Sequence, residues 1–114
     1  MAYEPLGDAI GGTCLIASKL ALNPCKCTVE DIDKLIEHLK TMNVEEHVKP
    51  AIDDLINRLN TVKQHLQSEG FTLDDLHSLI EWCDLALTTY KPLIYIEHQL
   101  ELSEQSSGAM AVTS

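Results

Sequence analysis

Apolar positions recur along most of the chain at steps of three and four residues, the period of a helix with one buried face. From Thr28 they fall at Val29, Ile32, Leu35, Ile36 and Leu39, which predicts a helix over 29–42. From Pro50 they fall at Ile52, Leu55, Ile56, Leu59, Val62 and Leu66, which predicts a helix over 50–68 with a coiled-coil-like seam. A third set, Leu73, Leu76, Ile80, Cys83, Leu87 and Tyr90, is broadened by Leu79 and Leu85 and predicts a helix over 73–89. Pro92 lacks an N–H and crowds the preceding turn, so a break or strong kink is expected there. A separate segment over 92–103 then carries Leu93, Ile96, Leu100 and Leu102, with Ile94 and Tyr95 making it apolar on more than one face. Upstream, Leu6, Ile10, Cys14 and Ala17 share a face that Leu15, Ile16, Leu20 and Leu22 extend, predicting a helix over 6–22. Gly7, Gly11 and Gly12 weaken that helix by up to ~1 kcal/mol each relative to Ala, yet they also permit close helix–helix approach.

Local signals mark the ends. Thr28 with Asp31 and Thr72 with Asp75 read as capping boxes in which Asp replaces the more usual Glu. Pro50 suits a first helical position, Gly70 a helix stop, and Asn23-Pro24 the end of the first helix. The segment Thr28–Glu37 aligns with Thr72–Glu81, and Lys49-Pro50-Ala51-Ile52 with Lys91-Pro92-Leu93-Ile94, as if one two-helix unit were used twice. The expected fold is all-α: a small antiparallel bundle of four to five helices joined by short turns, in which the near-repeat would make two related hairpins. One helical domain over 1–102 is expected. Residues 103–114 are small, polar and aperiodic, and are expected to be disordered.

Composition narrows the function more than it names one. The chain has 114 residues, 18 Asp+Glu against 8 Lys+Arg, and a formal net charge of -10, so it lacks the clustered cations that bind nucleic acid or an anionic membrane surface. The acids concentrate towards the C-terminal half. The first twelve residues carry no signal-peptide pattern, and no stretch is apolar for the ~20 residues a membrane span needs. An intracellular, cytoplasmic protein with its four cysteines as thiols is therefore expected. The pattern Leu93-x-x-Ile96-x-x-x-Leu100-x-Leu102 resembles a leucine-rich nuclear export signal, which would imply nuclear shuttling, although any amphipathic helix end fits it too.

Candidate chemistry is sparse. Cys25-Lys26-Cys27 offers two metal ligands, with His38 and His47 or Cys14 and Cys83 as candidates for the remaining two of a zinc site. No nucleophile elbow, P-loop or dinucleotide fingerprint is present. Cys14 and Cys83 lie on apolar stripes, as inert core thiols do. The paired acids stand at helix starts, where the helix dipole explains them. The reading that follows is a non-catalytic module without a cofactor that binds protein and self-associates as a homodimer. Its candidate contact residues are Trp82, Tyr90, Leu93, Tyr95, Ile96 and Leu100. The alternative is an acidic inhibitor or nucleic-acid mimic, of the small kind that viruses and regulatory systems use, presenting Asp74, Asp75, Glu81 and Asp84 to a basic groove.

Overall fold

Four helices make up the computed structural model over its described residues, 4–105: α1 (Glu4–Leu22), α2 (Thr28–Thr41), α3 (Lys49–Gln67) and α4 (Leu73–Gln105). Each packs on its neighbour in sequence, and α4 returns to pack on α1, which closes the bundle. Cross-helix contacts give the directions. Tyr90, Trp82, Arg58 and His65 tie α3 to α4 through the pairs His47/Tyr90, Ala51/Trp82, Arg58/Glu81 and His65/Asp75, so the two helices run antiparallel. Lys63 of α3 holds Asp33 of α2 at 2.6 Å, and Lys19 of α1 holds Asp31 of α2 at 3.1 Å. The all-α antiparallel bundle expected from the periodicity is the observed fold.

The core is aliphatic with one large aromatic. Leu6, Leu20, Ile32, Leu55, Leu59, Val62 and Leu79 share this core with Trp82, all essentially without solvent contact. The indole Nε1–H donates to the Ala51 carbonyl at 2.9 Å, which satisfies the one polar atom such a ring brings inside. Gly12 supplies the close approach between α1 and α2, because a Cβ there would stand 2.9 Å from Leu35 Cδ1. Gly7 and Gly11 face open space, so only one of the three glycines serves packing.

Helix ends agree with the sequence reading to within a residue or two, except at Pro92. A single helix of 33 residues runs through Pro92 where a break between two helices was expected. The proline costs the helix the bond to the Thr88 carbonyl, but both residues lie on the exposed surface, where water can satisfy that oxygen and the ring meets no packed neighbour. The near-repeat consequently gives different outcomes: Lys49-Pro50 opens α3, whereas Lys91-Pro92 lies inside α4. The helix continues to Gln105, so it enters the segment expected to be disordered, and residues 106–114 of that segment lie outside the described residues.

The caps divide in the same way. At α4, the Asp75 carboxylate accepts from the Thr72 N–H at 3.0 Å, one half of the expected capping box. At α2, Thr28 is already the first helical residue and is buried, Cys27 holds the cap position without a side-chain bond, and Asp31 pairs with Lys19 instead. After α3, the Gly70 N–H bonds the His65 carbonyl at 2.7 Å and the Glu69 N–H reaches the Leu66 carbonyl, a Schellman turn. The residue with positive φ in that turn is Glu69, at 61°, one position before the predicted glycine stop.

Candidate functional site: the α4 overhang and the groove between α1 and α4

Lengths set the site apart. At 33 residues, α4 is far longer than α1 or α3, at 19 each. Its antiparallel pairing places Tyr90 beside the start of α3, at His47, so the turns beyond Pro92 extend past the bundle end. The molecule is correspondingly elongated, 62 Å along its long axis beside widths of 27 and 21 Å. The overhang is apolar along part of its surface: Tyr95, Ile96 and Leu100 are 63%, 53% and 62% exposed. The buried stripe of α4 passes through Leu79, Trp82 and Ala86, and steps of three and four residues carry the same stripe on to positions 96 and 100. The core-facing side of α4 thus continues where α3 no longer covers it. The Leu93 side chain, also a predicted contact, lies outside the described residues.

Other predicted contact residues are used inside the bundle. Trp82 is core, because it stands two positions off the assumed seam on the stripe that faces α3. Tyr90 is half-buried against the core, and its hydroxyl donates to the His47 carbonyl at 3.3 Å. The assumed seam of α4 is itself rotated: Leu73, Ile80 and Leu87 are exposed, whereas Asp75, Leu79, Trp82 and Ala86 are buried, with Cys83 common to both stripes.

The four predicted acidic contacts separate similarly. Asp75 is buried, caps α4 and takes a 2.6 Å contact from His65 Nδ1. Glu81 accepts from Arg58, which also donates to Asp54 and to the Ser78 carbonyl at 2.8 Å. Arg58 thus joins α3 to α4 through a planar five-donor fork, and sequence reasoning passed over it because nothing in one helix shows the register of the next. Asp74 and Asp84 face solvent.

Among the described residues the cysteines do not form the candidate metal set. Cys25 and Cys27 are joined as a disulfide in the turn before α2, their Cα atoms 5.1 Å apart, which corrects the expectation that all four are thiols. The Cys27 N–H donates to Cys25 Sγ at 3.1 Å. Among the described residues no three His, Cys, Asp or Glu side chains gather as ligands, so neither His38 and His47 nor Cys14 and Cys83 join Cys25 and Cys27.

Cys14 and Cys83 instead meet each other. The Cys14 thiol donates to Cys83 Sγ at 3.7 Å, from α1 to α4. Cys14 is exposed, contrary to its reading as a core thiol, and Cys83 is buried. Burial pushes the Cys83 thiol up to about 12, and the contact with Cys14 and the negative charge of Asp84 add to the shift. The pair lies in an open groove of ≈ 310 Å³ whose other walls include Ala17, Ala21, Ile80 and Leu87.

No helix among the described residues is long and apolar enough to cross a membrane. The chain matches no protein-family model, and comparison with curated proteins and with solved structures finds no significant similarity.

Proposed function

We propose that the protein is a non-catalytic helical module that binds protein and that its primary contact is with a second copy of itself, through the overhang of α4. The observation that carries this reading is the exposure of Tyr95, Ile96 and Leu100 on a helix that has outrun its own bundle. A helical segment of about 13 residues is marginal alone in water, because few bonds offset the nucleation cost. Pro92 at its base removes one more bond. A covering partner would stabilise it. Full burial of one such side chain contributes about 1.5–3 kcal/mol. Association costs on the order of 4–15 kcal/mol, so the contact gains most when two copies contribute their overhangs together. An isologous pairing achieves that with one surface.

The acidic-inhibitor reading draws less support, since Asp75 and Glu81 already have partners within the chain. The two readings respond differently to salt: a charge-driven contact weakens steeply and an apolar one does not.

Sedimentation velocity over a concentration series to on the order of 100 μM, the range where a weak dimer forms, tests the proposal. The expected result is a dimer that I96E/L100E converts to monomer, with the bundle still folded and any loss of helicity confined to the overhang. A wild-type chain that stays monomeric throughout, or a variant that still dimerises, would remove the overhang as the self-contact.

A further inference from the structure

We propose that Cys14 and Cys83 form a thiol pair that reacts with low-molecular-weight disulfides, Cys14 capturing one half and Cys83 closing an intramolecular disulfide that joins α1 to α4. Three features of the groove carry this. The sulfurs are 3.7 Å apart, so reaching the ~2.05 Å of a disulfide needs each to move by less than about 1 Å. They differ in access, since Cys14 is exposed and Cys83 is buried, which assigns the attacking and resolving roles. The groove beside them, ≈ 310 Å³ and open to solvent, gives a small molecule room to approach Cys14.

The chemistry balances as thiol–disulfide exchange. The Cys14 thiol loses its proton, and its sulfur attacks one sulfur of the small disulfide RSSR. An S–S bond to Cys14 forms as the S–S bond of RSSR breaks, and the leaving RS⁻ thiolate takes up a proton as RSH. The Cys83 thiol then loses its proton and attacks Cys14 Sγ, expelling the second RSH. Two protein thiols are oxidised and one small disulfide is reduced to two thiols. The Cys83 thiol, pushed up to about 12, is almost wholly protonated at neutral pH, so closure is the slow step. Burial, the largest cause, persists when Cys14 carries the mixed disulfide, so closure should speed up as the pH rises from 7 to 9.

The bridge would close a loop that contains α2 and α3 entirely, 69 residues from Cys14 to Cys83. Constraint of so long a loop should raise the Tm by on the order of 10 °C. The proposal does not depend on self-association, because the groove lies on the bundle and the overhang beyond it.

The test is oxidation of the full native chain with oxidised glutathione, followed by intact mass measurement, peptide mapping and a thermal melt. The expected product has lost both free thiols, retains no glutathione, maps as a Cys14–Cys83 link beside the existing Cys25–Cys27 link, and melts higher. Under the same treatment Cys83→Ser should stop with one glutathione on Cys14, and Cys14→Ser should not react. Glutathione retained on wild-type Cys14 with Cys83 still free would overturn the proposal, as would two thiols that stay unreactive in the folded chain. The wild-type map decides the matter even if a variant fails to fold.

Discussion

One helix contains two environments. In its first half, α4 buries Leu79, Trp82 and Ala86 against the bundle; in its second half, positions on the same stripe, Ile96 and Leu100, are more than half exposed. The residue types on the two halves are alike, and the helical phase is alike. The difference lies in whether a neighbour is present, since α3 begins at Lys49, level with Tyr90, and nothing of it extends further. An apolar stripe by itself therefore does not say whether it is core or contact surface. The lengths of the surrounding helices decide that.

The comparison breaks most visibly under truncation to alanine. Trp82→Ala removes the largest buried side chain and leaves the Ala51 carbonyl without its 2.9 Å donor, so it should cost about 3–5 kcal/mol in urea unfolding. Ile96→Ala and Leu100→Ala, measured on monomeric protein, should each cost under about 0.5 kcal/mol, as exposed positions do. A cost at Leu100 comparable to that at Trp82 in the monomer would mean that the overhang folds back on the bundle.

A smaller effect is expected at the junction. Pro92→Ala restores the missing donor to the Thr88 carbonyl and relieves the ring's crowding, worth up to about 3 kcal/mol in a helix interior. The gain should be local. Amide hydrogen exchange should slow for residues 93–105, while residues of α2 and α3 exchange as before. An equal slowing across α2 and α3 would show that the overhang and bundle unfold as one unit, and the two-environment description would fail.

Much of this fold was legible because α2 and α3 each present one apolar stripe, so phase, face and ends all follow from a single pattern. On α4 the pattern was ambiguous. Leu73, Leu76, Ile80, Cys83 and Leu87 repeat at the same steps of three and four as Leu79, Trp82 and Ala86, and period alone cannot tell which of two stripes meets α3. Pro92 was misread for a related reason: the penalty for an interior proline is real, but it is tolerable where the orphaned carbonyl meets water. That the last helical segment carries more apolar residues than one buried face needs, Tyr95, Ile96 and Leu100 among them, could be read from sequence, since such an excess is a local property. The Cys14–Cys83 contact and the bridging Arg58 could not, because each depends on the register between helices far apart in sequence.

The smallest effect sharpens the same contrast between covered and uncovered helix surface, now on α1. Gly7 and Gly11 have nothing within 4 Å of where a Cβ would stand, whereas Gly12 would place one 2.9 Å from Leu35 Cδ1. Alanine at either open position restricts the unfolded chain and suits the helix, so Gly7→Ala and Gly11→Ala should each add about 0.5–1 kcal/mol. Gly12→Ala gains the same propensity but must displace the end of the Leu35 side chain, which already sits in the core. Its net effect should be zero or destabilising. The Leu35 terminus is flexible enough to keep any loss small. Midpoints of urea unfolding for the three variants, compared at equal slope, measure the difference directly. A Gly12→Ala gain as large as the other two would show that α1 does not rest closely on α2 there, and that all three glycines are merely uncovered helix positions.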